Sequence, residues 1–309
     1  MKKIVLLLVL VSAFALNAQI EWAEEAVIRQ GENIEWYRSS AVMDNGNVVY
    51  VWSDTRYGDR DIFAQKMDSN GNKLWGESGI QINGEINRQE DPVIIQSGDG
   101  FVIAWVDFRN EDAGDVYAQK IDLDGNLLWD SEGIPLSLTE DTQISLNIVS
   151  DESGGAYVIW IDQHLVTAPD IFGTHIDGDG NISAGWAENG NEIIVTGGTQ
   201  NSHTFWEDGT GGAVVVWHDM RDANNEDLYM QRMDVNGNLL WAENGTRLTD
   251  AEGIQERGKI SPDENGGFIV TWRDRRIDED GDIYAQKINL DGETEWATET
   301  IVYAGEGIQ

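Results

Sequence analysis

The chain has 309 residues, enough for one large domain or two ordinary ones, and its 40% apolar content excludes a disordered polypeptide. Fifty-six acidic residues stand against 20 basic ones, a formal net charge of −36; such a field repels phosphate backbones and anionic lipid, so neither nucleic acid nor a membrane surface is an expected partner. With no cysteine, disulfides, thiol chemistry and thiolate-bound metals are excluded.

Residues 1–18, MKKIVLLLVLVSAFALNA, combine two lysines, an apolar run and small residues near the end, the pattern of a secretory signal peptide. The unbroken apolar stretch is shorter than the ~20 residues a spanning helix needs. The expectation is therefore a secreted or cell-surface protein that begins near Gln19 and does not insert in the membrane after cleavage. Loss of Lys2 and Lys3 leaves 18 basic against 56 acidic residues.

Residues 19–36 read as an orphan outer strand. The stretch 21–46 aligns with 74–100 and places Trp22 where later units carry a second tryptophan. Five units follow, at about 37–85, 86–139, 140–198, 199–252 and 253–309. The string W-x-D recurs at Trp52, Trp105, Trp160, Trp217 and Trp272, in steps of 53, 55, 57 and 55 residues, and a second tryptophan follows each at Trp75, Trp129, Trp186, Trp241 and Trp296. A fixed period of this size marks a repeat architecture.

Within a unit the pattern is β throughout. The second unit gives DPVIIQ, FVIAWVD, DVYAQKID and LLW leading into GIPLSL, four short strands separated by Gly, Asn and Asp clusters. Asn70-Gly71, Asp124-Gly125, Asp179-Gly180, Asn236-Gly237 and Asp291-Gly292 predict two-residue hairpin turns between strands three and four. Strand two (NVVYVW, FVIAWV, AYVIWI, AVVVWH, FIVTW) lacks polar alternation, so both its faces must be covered. Radial packing of small sheets does this. The fold class is all-β, a β-propeller of four-stranded antiparallel blades with five repeats visible. The terminal EGIQ matches residues 252–255, which fits either a longer parent or five blades with the orphan strand added at an edge to close the ring.

The repeated polar residues are Asp54, Asp107, Asp162, Asp219 and Asp274 of W-x-D, then Arg56, Arg109, Arg221 and Arg276, then Asp61, Asp115, Asp227 and Asp282 opening strand three. They read as structural: each arginine forks onto the acids of its own blade and lies along a tryptophan face. A ring of arginines binding an anion is the functional alternative. The turn strings DSNGN and DLDGN lack the downstream Glu of an EF-hand. The second-to-third loops are acidic, with Glu111, Asp112 and Asp115 in one and Asp278, Asp280 and Asp282 in another. The latter three could hold Ca²⁺, the one cofactor the composition suggests, against a plain solvated acidic loop.

Unit three departs from its siblings, with His164 in the arginine position and GTH replacing AQK. All four histidines, His164, His175, His203 and His218, fall in units three and four; His164 and His203 are the ligand-binding candidates, and none is read as catalytic. No G-x-S-x-G, H-E-x-x-H, phosphate loop or dinucleotide fingerprint occurs.

The strings GGAVVVWHDMR, DIYAQK and DGNLLW resemble the tandem repeats of large secreted or cell-surface bacterial propellers, many exported by a type IX system. The resemblance spans residues 20–309 and implies an extracellular propeller of unassigned function. The Asp-box turn of sialidase-type propellers is a looser likeness: IDLDGNLLW has Gly and Asn in the wrong order, so that mechanism is not carried over. The first functional expectation is a non-enzymatic binding propeller for an extracellular glycan or protein, using loops on one face. The alternative is a polysaccharide-active enzyme, hydrolase or lyase, with carboxylates near the central channel. The calcium assignment is tested by thermal melts with 2+ ion and with chelator: a solvated loop gives superimposable curves, a bound ion an upward shift with calcium.

Overall fold

The computed structural model describes residue 28 and residues 35–110, 112–163, 168–222, 225–263, 265–277 and 279–305. The leader, the remainder of 19–34, Glu111, His164 and Asp278 lie outside the described residues. Five four-stranded sheets follow one another. The first holds β1 (Glu35–Val42), β2 (Val48–Asp54), β3 (Asp61–Met67) and β4 (Ile80–Asn83). The second holds β5 (Gln89–Ser97), β6 (Gly100–Asp107), β7 (Asp115–Asp122) and β8 (Ile134–Ser137). The third comprises β9 (Thr142–Ser150), β10 (Ala156–Gln163), β11 (Asp170–Ile176) and β12 (Asn191–Ile194). The fourth is β13 (Gln200–Glu207), β14 (Ala213–Asp222), β15 (Asn225–Met233) and β16 (Thr246–Arg247), and the fifth β17 (Gln255–Pro262), β18 (Phe268–Asp274), β19 (Asp282–Ile288) and β20 (Thr300–Tyr303).

Every sheet runs in chain order with antiparallel neighbours. First strands of adjacent sheets pack on one another (β1 on β5, β5 on β9, β9 on β13, β13 on β17), and fourth strands make no comparable contact. The first strands therefore gather around the axis and the fourth strands form the rim, as in a β-propeller. Glu35 and Trp36 pair with Asp54 and Ser53, so they belong to the innermost strand of the first sheet and not to an orphan outer strand.

The energy of this arrangement lies between sheets. Four apolar clusters each join the forward face of one sheet to the tryptophan side of the next: Val49, Val51, Ile62 and Ile82 meet Phe101, Ile103 and Trp105, and the pattern repeats around the arc. Trp105, Trp160 and Trp217 are fully buried. Burial of 150–250 Å² of aromatic surface contributes roughly 4–6 kcal/mol per tryptophan as an upper figure. The tryptophan side of the first sheet, with Tyr50, Trp52, Phe63 and Met67, packs against Ile28.

Two local expectations are corrected. The Asn-Gly and Asp-Gly turns are not two-residue hairpins: Gly71 N–H bonds the Asp68 carbonyl (3.0 Å) and Asp68 N–H the Asn72 carbonyl (2.9 Å), a three-residue loop with Gly71 at φ 81°. The Asp68 carboxylate fixes it by accepting from the Asn70 and Asn72 amides, at 2.9 and 2.8 Å. Nor does this turn lead into strand four. It closes on a single bridge, Met67 with Lys73, and the second tryptophan then sits in a connecting segment before β4. The glutamine of A-Q-K holds that segment: Gln65 Oε1 accepts from Trp75 N–H (3.0 Å) and its amide donates to the Gly76 carbonyl (2.6 Å).

The W-x-D-x-R string is one hydrogen-bonded unit. The Asp107 carboxylate accepts from the Trp105 indole (2.9 Å), the Arg109 amide (2.9 Å), Arg109 Nε (3.0 Å) and Arg109 Nη2 (2.6 Å). The same set recurs at Asp54, Asp219 and Asp274. At Asp54 burial pushes the carboxyl up, but the bonds from Arg56 and Trp52 outweigh it and hold it below the usual range. The guanidinium stacks closest on a strand-three ring: Arg56 over Phe63 at 3.6 Å, Arg109 over Tyr117 at 4.1 Å, Arg221 over Tyr229 at 3.9 Å and Arg276 over Tyr284 at 4.4 Å, with Arg56 also over Trp52 at 5.7 Å. The reason is register, because Tyr117 lies directly opposite Trp105 on the neighbouring strand and faces the returning arginine. Arg109→Ala leaves a buried carboxylate without its counter-ion and is expected to lower stability by about 3 kcal/mol. Arg109→Lys is expected to recover only part of it, since an ammonium cannot fork or stack; urea denaturation measures both.

Candidate functional site

Each innermost strand carries a β-bulge at the same place. The register slips between Trp36 and Arg38, Glu90 and Val93, Ile144 and Asn147, Asn201 and Thr204, and Glu256 and Lys259. In sheets two to five the extra pair lies opposite the strand-two tryptophan: Asp91-Pro92, Ser145-Leu146, Ser202-His203 and Arg257-Gly258. This is the end of each sheet that holds W-x-D and the second-to-third loop. Asp91, Ser145 and Arg257 have φ of 51°, 57° and 58°, a left-handed backbone that costs a residue with a Cβ of order 1 kcal/mol or more and gathers at functional sites. The framework residues are repeated, and the bulge residues differ in every sheet. The inner strands thus bring chemically different residues to the end of the sheets that holds W-x-D.

A glutamine precedes the bulge in sheets two to five: Gln89, Gln143, Gln200 and Gln255 are buried and stand at the start of their strands. Each amide donates to the loop that enters the strand, as Gln143 does to the Asp141 carbonyl at 2.6 Å and Gln200 to the Gly198 carbonyl at 2.9 Å. Their four Oε1 atoms are buried with no partner. Sequence reading missed this ring, although the glutamines recur at the tryptophan period.

Between the bulges of β9 and β13 opens a cavity of about 530 Å³, bordered by Ser145, Leu146, Asn147, Gln163, Gln200 and His203 among others. Its chemistry follows from the irregularity of sheet three. Among the described residues the Trp160 indole N–H has no acceptor, and Asp162 accepts from Gln143 at 3.1 Å. His203 is buried; burial and the nearby Lys259 charge lower it to about 4, so it is neutral above that pH. One ring nitrogen bonds the Ser145 backbone and Nδ1 is left a bare acceptor. Gln200 Oε1 and His203 Nδ1 are thus acceptors buried in the wall of the cavity without a partner.

On the neighbouring strand β5, the half-buried Asp91 carboxyl is pushed up to about 6 by burial and by the charge of Glu90, against a smaller opposing effect of Arg60. Glu90 accepts from Arg60 and, at 3.2 Å, from Arg88. Asp61 is also raised to about 6, by burial and by Asp54 and Asp59, but it belongs to the repeated row at the start of strand three, as do Asp115, Asp227 and Asp282. A perturbed carboxyl found in one sheet only points to function; one found in a repeated position serves the fold.

The remaining sequence candidates separate. Among the described histidines, His175 lies at the far end of its sheet, 3.0 Å from Asp151 and stacked on Tyr157, away from His203, whereas His218 bonds Asn201 of the strand that carries His203, at 3.0 Å. Asp280 is exposed and Asp282 is buried opposite Asp274. Among the described residues no three metal-binding side chains gather.

No protein-family model and no curated protein matches the sequence. Among solved structures the chain is similar to an α-L-arabinanase from Penicillium chrysogenum complexed with arabinobiose, at 13% identity and TM-score 0.52 over 92% of this chain and 87% of that one. It also matches a protein of unknown function from Dyadobacter fermentans (12% identity, TM-score 0.48, 93% and 88% covered). An α-L-arabinofuranosidase from Fusarium graminearum matches at 10% identity and TM-score 0.48, with 88% and 86% covered. The first likeness establishes the fold. The expectation of a non-enzymatic binding propeller is corrected here: a solved structure that shares the fold is that of an arabinanase, a likeness that favours the alternative expectation of a polysaccharide-active enzyme.

The sign of the Asp91 effect is testable. Because its native carboxyl is the weaker acid, ionisation opposes folding: the penalty is absent below pH 4, grows through pH 6 and is complete above it. Asp91→Asn is expected to match the parent at pH 4 and to exceed it by about 1–2 kcal/mol at pH 8, after allowance for solvent screening; chemical denaturation at the two pH values checks this.

Proposed function

We propose that the protein is an exported glycoside hydrolase acting on a neutral polysaccharide at the channel mouth. The observation that carries the reading is Asp91, a non-repeated carboxyl on a strained inner-strand bulge, protonated up to about pH 6. A carboxylic acid in that state can donate its proton to the departing glycosidic oxygen as the C–O bond breaks, and its conjugate base can take a proton from the water whose oxygen bonds to the anomeric carbon. Glu90 is a positioning residue: it holds Arg60 and Arg88 and its charge helps keep Asp91 protonated. The cavity beside β9 and β13 receives an adjoining sugar, with the polar side chains of Ser145, Asn147, Gln163 and Asn201 in its lining.

Three further points support this reading. The fold is shared with an arabinanase, which makes arabinan the first substrate to try. A net charge of −36 disfavours anionic polymers and, with them, the uronate chemistry of a lyase. The leader and the likeness to type IX cargo repeats fit a substrate outside the cell.

Reducing-sugar release from linear arabinan, galactan and xylan is the test. Cleavage of at least one is expected, with a rate that falls as pH rises through about 6. Asp91→Asn is expected to lower kcat by 10²–10⁴ while keeping the parental melting behaviour at pH 4. Full activity in that variant, or no release from any neutral polymer, sinks the reading.

A further inference from the structure

The forward face of the fifth sheet repeats an interface that is filled everywhere else in the arc. Ile82, Leu136, Ile193 and Leu248 occupy one position in strand four of the first four sheets and are 1%, 0%, 1% and 4% exposed, because the next sheet covers them. The fifth occupant of that position, Val302, is 58% exposed. Ile269, Thr271 and Ile283 on the same face are half-buried, where their counterparts Val214, Val216 and Leu228 in the fourth sheet are fully buried.

The polar part of the interface is equally unmet. Each earlier sheet donates into the turn of the next: Lys66 Nζ to the Leu123 carbonyl (2.8 Å), the Trp129 indole to Gly178 (3.2 Å), the Trp186 indole to Val235 (3.0 Å) and the Trp241 indole to Leu290 (3.1 Å). In the fifth sheet Lys287 turns back to its own Asp263 and Glu295, at 2.7 and 2.8 Å, and among the described residues the Trp296 indole has no carbonyl to meet. Apolar and polar groups thus present the same complement as the four filled interfaces.

We infer that the forward face of the fifth sheet is a docking surface for a further four-stranded sheet of this same repeat type. The occupant is defined by the side it must offer: an apolar second strand ending in a buried tryptophan, as in Phe101-Ile103-Trp105 or Phe268-Val270-Trp272, and a D-x-x-G-N turn whose carbonyl receives the Trp296 N–H. Continuity with the four existing interfaces selects this partner over an unrelated one. The local charge agrees, since Arg273, Arg275 and Lys287 offset Glu256, Asp263 and Glu295 on a chain that is otherwise strongly acidic.

The test is a chain with a copy of residues 90–142 fused to its C-terminal end. Docking orders the added sheet, so it resists trypsin as the parent does and Tm rises by roughly 3 °C or more. Val302→Glu abolishes both gains in the fused chain and leaves the Tm of the unfused chain unchanged. A trypsin-sensitive tail with unaltered Tm overturns the inference. An added sheet that orders despite Val302→Glu, or an unfused chain that dimerises through Val302, also overturns it, in the latter case in favour of a second copy.

Discussion

The structure depends on one constraint: a four-stranded sheet of this repeat cannot cover its own second strand. β6 is buried along its whole length, with Phe101, Ile103 and Trp105 turned to one neighbour and Val102, Ala104 and Val106 to the other. Each unit is therefore stable only as part of a stack, and stability approximates a sum over contacts between neighbours. The tryptophan is both the largest apolar group at each contact and, through its indole N–H, the anchor of the Asp that shapes the adjacent loop. Packing and loop geometry are linked in a single residue.

That linkage separates framework from function. The Asp-Arg fork and the aromatic ring beneath it fix the second-to-third loop at the mouth, and the glutamines fix the loops that enter from the rim. With the rim of the mouth held by repeated residues, the bulge opposite each tryptophan is free to carry a different side chain in each sheet. Asp91 and His203 stand there, and their altered acidity comes from burial that the framework imposes.

The architecture was legible because it is written five times. The tryptophan period, the unbroken apolar second strands and the glycine turns each specify part of a blade, and errors in one copy are corrected by the others. What stayed hidden depends on pairing. A turn with Asp at its start and Asn at its end reads as a two-residue hairpin until the Asp68 carboxylate is seen bracing a three-residue loop. The arginines were assigned to tryptophan faces because both residues share one string, whereas cross-strand register brings a strand-three ring beneath them. The site was least legible of all. In the run RQEDPVIIQ only Pro92, which lacks an N–H for the ladder, hints at the bulge, and Asp91 is one acid among 56.

The third sheet bears a consequence of its own. It is the sheet in which, among the described residues, the indole of Trp160 is buried without an acceptor. Buried polar atoms left unmatched lower the free energy needed for local opening, and opening of a stacked array spreads from its least secured member. The unmatched indole thus lowers the cost of opening the unit that borders the cavity, and packing that secures the scaffold elsewhere is weakened beside the place where a ligand would enter.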